Sequence, residues 1–165
     1  MTGLSCGRPF SGLNRKRKTT VSATDLLAEL GDKLGFPITL SGDGTCRVIF
    51  DEDAVDFELF GESLYVMADV GSAANREDAY GRLLEANCLG RESGGACLGL
   101  DASRDVFTLH RVFSADVSYT AFEEDLTLFV KALRYWKEWL ALPPAQGGAE
   151  EPIPMPAFGS GMLMA

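Results

Sequence analysis

Residues 46–69 of this chain, CRVIFDEDAVDFELFGESLYVMAD, contain three consecutive runs in which apolar and polar side chains alternate. A period of two places the apolar side chains on one face of a β-strand. The runs are separated at Asp51–Asp53 and at Gly61 by gaps of hairpin length. The stretch therefore predicts three antiparallel strands in a meander. We expect the carboxylates of Asp51 and Asp53 to be solvated turn acids, not an acid/base pair.

A helix is predicted before this stretch. Ser22 and Asp25 have the spacing of a capping box. Four leucines then recur at helical spacing, and Gly35-Phe-Pro37 is typical of a helix end. These leucines are Leu26, Leu27, Leu30 and Leu34.

Two helices and two strands are predicted after the meander. The second helix should open at Asn75 and end at Leu89-Gly90, and strand patterns follow at 96–100 and 106–113. The last helix should be capped by Thr120 and end before Pro143-Pro144. The fold predicted is α+β: an antiparallel five-stranded sheet with three helices, in the order α-β-β-β-α-β-β-α. The last helix should anchor the core through an apolar stripe of Phe122, Leu126, Phe129, Leu133, Trp136 and Leu140.

Charge and composition divide the chain into three parts. We expect residues 1–21 to be a disordered basic arm, residues 22–141 to be the folded domain, and residues 142–165 to be a flexible tail rich in Pro and Gly. The first 20 residues hold +5 of a net charge of −9, which leaves −14 on the remainder. An acidic body repels nucleic acid and anionic membranes, because binding to either depends on Lys and Arg. The charge favours a basic or amphipathic polypeptide partner.

The sequence offers little for catalysis or metal binding. The cysteines (Cys6, Cys46, Cys88 and Cys97) have no C-x-x-C spacing, and His110, the single histidine, falls in a strand pattern. We expect reduced thiols, with Cys46 and Cys97 acting as small apolar strand residues. No phosphate-loop, metalloprotease or nucleophile-elbow motif occurs. We predict a cytoplasmic protein with no cofactor, no membrane span and no enzymatic activity.

Several local runs resemble the class I type III secretion chaperone family that includes the Tir chaperones. The resemblance covers about residues 22–141. The most specific combination is the Leu-Leu-x-x-Asn run at 83–87, followed by Gly-x-x-Leu-x-Leu-Asp at 95–101. Weaker similarities occur at 26–31, 46–50, 64–71 and 106–109, and in the last helix. The basic arm and the Pro-rich tail depart from the family pattern.

The resemblance implies a homodimer, without nucleotide or metal, that holds a secreted effector in extended form. Placing the client on the first helix and the sheet is our own expectation, because an extended peptide can add a strand to a free sheet edge. The first strand is the edge that we expect to be free. We predict effector binding by Leu27, Leu30, Leu34, Val48, Ile49, Phe50, Phe60, Tyr65 and Met67.

The second helix is predicted to contribute to the dimer. Gly81 lies mid-helix, where glycine costs about 1 kcal/mol relative to alanine, and a close helix approach would offset that cost. The resemblance also implies an interface at this helix. We predict that the interface contains Tyr80, Gly81, Leu84, Cys88, Leu98 and Leu100.

Alternatives remain open from the sequence alone. Ile49, Phe60, Tyr65 and Met67 fall opposite the predicted core face, where they would line client pockets, form a subunit contact, or lie beneath covering helices. A regulatory or adaptor domain that binds a folded partner would have a similar pattern. A small hydrolase or transferase using His110 or a thiol is the rival from another class.

Overall fold

The computed structural model describes residues 22–114 and 116–143. The predicted basic arm, and the predicted tail from residue 144 onward, lie outside these residues. Three helices and five strands form in the predicted order, so the α+β fold is confirmed. The elements are α1 (Ala23–Leu34), β1 (Thr45–Phe50), β2 (Asp53–Phe60), β3 (Ser63–Ser72), α2 (Ala79–Asn87), β4 (Cys97–Asp101), β5 (Val106–Ser114) and α3 (Tyr119–Ala141).

The strands form one antiparallel sheet in the order β1-β2-β3-β5-β4. The meander β1-β2-β3 is therefore confirmed, and β5 lies between β3 and β4. The edges of the sheet are β1 and β4. The position of β1 at an edge agrees with the prediction for the first strand.

One face of the sheet packs against the helices. Trp136, Phe129 and Phe122 of α3 are fully buried, as are Phe57 of β2 and Leu26 of α1. Burying each such side chain contributes about 1.5–3 kcal/mol. The α3 helix therefore holds the helical layer to the sheet, as its stripe predicted.

The opposite face of the sheet, here called the open face, carries large apolar side chains that are exposed. The fractional exposures are 55% for Ile49, 72% for Phe60, 41% for Tyr65, 39% for Met67 and 47% for Val112. One alternative left open by the sequence was that helices cover both faces of the sheet. Within the described residues, no helix covers the open face. A surface this apolar is typical of a binding site.

The starts of α2 and α3 both differ from the prediction. The α2 helix begins at Ala79, and Asn75 lies before it in a turn with a φ of 58°. Asp78 accepts hydrogen bonds from Arg76 rather than capping the helix. The α3 helix is capped by Ser118, whose hydroxyl accepts from the Ala121 amide, two residues earlier than the predicted Thr120 cap.

Two polar side chains were also wrongly placed from the sequence. Asp53 is not a solvated turn acid: its side chain is 3% exposed and pairs with Arg134 and Lys137 of α3. Cys97 lies in a strand, as expected, but it is exposed on the open face and does not behave as a small apolar residue packed out of water. Cys46 is half-buried, as a residue on the edge strand can be.

Candidate functional site

The outer side of β1 is the clearest binding feature in the described part of the chain. The amide of Leu59 donates to Gly44 O at 2.8 Å, and Gly44 stands opposite Leu59 in the register of β1 and β2. Hydrogen-bonded pairs alternate in an antiparallel ladder. Cys46, Val48 and Phe50 therefore bond to β2. The N–H and C=O groups of Thr45, Arg47 and Ile49 point away from the sheet.

One of these three positions is already satisfied locally. The Ser41 amide donates to Thr45 O at 2.8 Å, and the Thr45 amide donates to the Ser41 hydroxyl at 3.2 Å. No strand of the described residues pairs with the outer side of β1. Arg47 and Ile49 thus present two successive pairs of backbone groups to an incoming strand.

A groove of about 990 Å³ lies beside this edge; we call it the edge groove. Residues 36–41, which connect α1 to β1, form its wall. Side chains of the open face, with Tyr65 and Met67 as the large apolar ones, form its floor. Its dimensions fit a segment of polypeptide and fall in the range of ligand sites.

The wall of the groove is fixed by a close approach at Gly31. A Cβ atom on Gly31 would lie 2.7 Å from Phe36 O and 2.9 Å from the Ile38 amide nitrogen. The amides of Gly35 and Phe36 both donate to Gly31 O. The chain leaving α1 therefore folds back against the helix.

Apolar residues in the wall were missed from the sequence. Phe36 is 46% exposed in the groove, whereas Ile38 and Leu40 pack against the core. The run Phe-Pro-Ile-Thr-Leu at 36–40 alternates with period two. That signal was available, although the proline marked the run as a helix end.

Charged groups surround the apolar floor. Arg47 donates to both carboxylate oxygens of Asp56, with distances of 2.6 and 2.8 Å. Glu58 and His110 also line the groove. Burial, with a smaller effect from the charge of Asp56, raises the pKa of the Cys46 thiol, so the sulfur stays protonated and is a poor nucleophile. The Cys46 thiol therefore gives the groove no activated nucleophile.

The structure divides the predicted effector-binding residues into two groups. Leu27, Leu30 and Val48 are buried in the core, so their side chains are not available on the surface of this chain. Phe50 is half-buried. The exposed members are Leu34, Ile49, Phe60, Tyr65 and Met67, to which the structure adds Phe36 and Val112.

The predicted interface residues lie together around α2 and β4. Tyr80, Leu84 and Leu100 are exposed by 38%, 71% and 45%, whereas Leu98 is buried. Gly81 and Cys88 are also exposed, and a Cβ atom on Gly81 would meet nothing within 4 Å. A pocket of about 220 Å³ is lined by residues of both the helix and the strand.

Leu89, which follows α2 in the chain, is a further exposed apolar residue that sequence reasoning missed. It is 80% exposed and has a φ of 61°. A positive φ is unfavourable for leucine. The sequence gives no signal for it, because Leu89-Gly90 predicts only a helix end.

Within the described ranges, no cluster of three or more His, Cys, Asp and Glu side chains could hold a metal ion. No helix among the same residues is long and apolar enough to cross a membrane.

Solved structures of similar fold include complexes of secretion proteins. A chain in the crystal structure of the ExsC–ExsE complex matches with a TM-score of 0.62 at 24% identity, covering 71% of this chain and 92% of that one. The HopA1–SchA chaperone–effector complex matches with 0.59 at 21%, covering 68% and 91%. The Yersinia pestis type III secretion chaperone SycH, in complex with a stable fragment of YscM2, matches with 0.56 at 24%, covering 68% and 98%. At these identities the likeness shows the fold.

No curated protein matches this chain in a sequence search. The family model of the Tir chaperone protein (CesT) family, in contrast, matches residues 25–137. That range runs from the first turn of α1 to near the end of α3, and it includes both edge strands and the α2 surface. The chain therefore belongs to the Tir chaperone protein (CesT) family.

Proposed function

We propose that this protein is a type III secretion chaperone that binds the N-terminal region of a secreted effector in extended form and keeps it competent for export, without ATP. The observation that carries the proposal is the free edge of β1 beside the edge groove. Membership of a chaperone family supports it. Among the similar solved structures, one is a chaperone–effector complex and another is a type III secretion chaperone with a bound protein fragment, which also supports a polypeptide client.

The client backbone pairs with Arg47 and Ile49 in this proposal. Each new backbone hydrogen bond contributes about 0.5–1.5 kcal/mol and demands little of the client sequence. Selectivity then comes from alternate client side chains, which enter the edge groove and meet Tyr65, Met67 and Phe36. This arrangement suits a protein that must hold a client without folding it.

The proposed functional unit is a homodimer. The apolar surface of α2 and β4 is separate in the fold from the edge groove, because β4 and β1 are opposite edges of the sheet. A second copy of the chain covering Leu84, Leu89 and Leu100 would remove large exposed side chains from water. Both client edges of such a dimer would remain accessible.

The test is binding of a secreted client by a variant that lacks an edge donor. The client is first identified by co-purification from a secreting strain, and its N-terminal segment is then used in titrations with and without ATP. Ile49→Pro removes the outward N–H of Ile49 and is tolerated at an edge position. We expect about a tenfold or greater loss of affinity, since one lost bond and a distorted strand together exceed 1 kcal/mol.

A matched variant separates the backbone from the side chain. Ile49→Thr keeps the N–H and removes most of the apolar side chain, so it should lose less affinity than Ile49→Pro. Undiminished binding by a folded Ile49→Pro protein would exclude strand addition at β1. Failure to recover any secreted client would contradict the chaperone function itself.

A further inference from the structure

The two edges of the sheet differ in how their backbone groups are satisfied. On β4, the Leu98 amide donates to Asn87 Oδ1 at 2.7 Å, and the Asn87 side-chain amide donates to Leu98 O at 2.9 Å. The side chain of Asn87 therefore makes the two hydrogen bonds that a neighbouring strand would make. Leu98 lies opposite Leu109 of β5 in the register. Its groups point outward, as the bonds to Asn87 require.

The position before Leu98 on the same side is closed as well. The Ala96 amide donates to Ser93 O at 3.1 Å, and the buried Ser93 hydroxyl donates to Ala96 O at 2.5 Å. By the same alternation, the outward groups of β4 and of the residue before it belong to Leu98, Leu100 and Ala96. Two of these three positions are occupied by bonds within the chain. At β1 one position of three is occupied, and the two that remain are consecutive.

We propose that Asn87 determines which edge of this sheet accepts a strand, by closing β4 and leaving β1 as the receiving edge. An exposed edge is a template for pairing with any other chain, including a second copy of this protein. Asn87 blocks that pairing at Leu98, in the middle of β4, where a continuous run of bonds would otherwise form. It acts as a positioning residue, because it touches the strand edge and not the client.

The proposal rests on the proposed function for the role of β1, whereas the closure of β4 is testable without any client. The probe is the chain itself. Asn87→Leu is close in size to the natural residue but neither donates nor accepts a hydrogen bond. We expect amide hydrogen exchange at Leu98 to become about tenfold faster in the monomeric units, as the loss of one bond worth near 1.4 kcal/mol predicts. We also expect concentration-dependent assemblies larger than those of the wild type in sedimentation velocity.

A rescue variant distinguishes strand pairing at the β4 edge from non-specific association caused by an added apolar side chain. Leu100→Pro in the Asn87→Leu background removes one of the two outward N–H groups that are then free on β4, so it should abolish the larger assemblies. Because Leu100 also belongs to the proposed dimer surface, Leu100→Pro alone is the reference for the assembly state of the double variant. Glu138→Leu, which adds a leucine to the exposed side of α3, serves as the control and should not form the larger assemblies. If Asn87→Leu fails to fold, Asn87→Ala replaces it, since the short alanine side chain removes both hydrogen bonds to Leu98 and adds no bulk.

The outcomes are separable. Faster exchange at Leu98 with new assemblies that Leu100→Pro removes would support the proposal. Faster exchange without new assemblies would overturn the proposal, because the hydrogen bonds of Asn87 would then only stabilise the fold. Wild-type exchange at Leu98 would overturn it too. None of these results depends on whether the client is a secreted effector, so a failure here differs from a failure of the proposed function.

Discussion

At the scale of single residues, the most consequential polar group in the core is Asp53. Its carboxylate accepts from Arg134 Nε and from Lys137 Nζ, each at 2.7 Å. Arg134 also reaches Asp51 at 2.7 Å and Phe50 O at 3.2 Å. These bonds tie the turn between β1 and β2 to α3. The far end of the proposed client edge is therefore held in place by the last helix.

We expect Asp53→Asn to destabilise the protein by about 1–3 kcal/mol near neutral pH, as the loss of one side of a buried charge-assisted pair predicts. Burial raises the pKa of Asp53, but the hydrogen bonds from Lys137 and Arg134 outweigh it and hold the pKa below its ordinary value of 3.8. A carboxyl group with a depressed folded pKa stabilises the protein above the unfolded pKa. That contribution is lost as the pH falls through the folded pKa.

The measurement for Asp53 is urea unfolding of the wild type and of Asp53→Asn across a pH series. The difference in unfolding free energy should be full well above pH 3.8 and should narrow below it. A difference that stays constant as the pH falls would show that the ionised carboxylate is not the stabilising species. Asp51→Asn is the matched control, because the Asp51 side chain is 83% exposed and should have little effect.

Sequence reasoning failed at Asp53 for an identifiable reason. An acidic run between two strand patterns predicts a turn, and turn acids are mostly solvated. Asp53 is buried because it pairs with Arg134 and Lys137, which lie more than 80 positions later in the chain. The i and i+3 spacing of these two cations on α3 gave no indication of which strand turn would meet them.

At the scale of elements, the junction of α1 with the wall of the edge groove gives a second prediction. Gly31→Ala places a methyl group where the Phe36 carbonyl and the Ile38 amide now lie. We expect a loss of about 1–3 kcal/mol in stability, as overpacking commonly costs. The displaced wall should also weaken client binding and speed amide exchange at residues 36–41.

Gly35→Ala is the control for this junction. Gly35 has a φ of 81°, but a Cβ atom there would meet nothing within 4 Å. It should cost about 1–2 kcal/mol through backbone strain alone and leave client affinity unchanged in the folded protein. Client affinity of Gly31→Ala and Gly35→Ala is measured by binding titrations at a matched fraction of folded protein. Equal losses of affinity in the two variants would contradict a role for the wall in client binding.

Most elements could be predicted because their periodicity is local. The alternation in 46–69 predicted β1, β2 and β3, and the leucine stripe predicted α1 with its Ser22 cap. Helix starts could not be assigned so well: Asn75 and Thr120 have suitable side chains, but Asn75 forms a turn and Ser118 caps α3 instead. Competing cap residues within a few positions differ by less than the tertiary contacts that choose between them.

The candidate site could be predicted only in part. Open-face residues such as Tyr65 and Met67 followed from strand parity. The helical stripe did not reveal that Leu27 and Leu30 are used entirely by the core, because a period of 3.6 gives the direction of a side chain but not the number of layers that cover it. The role of Asn87 depends on a contact with β4 across the loop, which no local pattern contains.

At the scale of the whole molecule, the surface of α2 predicts self-association. Gly81→Leu introduces no clash within the chain, since space around Gly81 is open. Leucine also favours a helix over glycine by about 0.8–1 kcal/mol, so the fold should be unchanged or more stable. In the proposed dimer the α2 helices of two copies meet at this glycine, and a leucine there would hold them apart, so we expect Gly81→Leu to weaken dimerisation.

Sedimentation equilibrium of the wild type, Gly81→Leu and Glu138→Leu measures this effect. The Glu138→Leu control adds a leucine elsewhere on the helical layer and should remain dimeric. A wild-type protein that is monomeric over the accessible concentrations would exclude the dimer. A dimer that is unchanged in Gly81→Leu would move the interface away from this helix position.

Charge over the whole chain gives the last prediction, which concerns the rate of client capture. Residues beyond the first 20 hold −14, and Asp56 and Glu58 line the edge groove itself. Such a field attracts a basic segment from a distance and is screened by salt, since the Debye length falls from about 10 Å at 0.1 M to about 3 Å at 1 M. We expect the association rate with a basic client segment to fall about tenfold or more over that range of ionic strength, whereas the dissociation rate, which depends on short contacts at β1, should change little. Stopped-flow measurements on the wild type and on Glu58→Gln test this, with a client segment whose lysines are replaced by glutamine as the control. An association rate that does not respond to salt, or a salt response that persists in the uncharged client, would show that capture depends on the apolar groove and not on the acidic body.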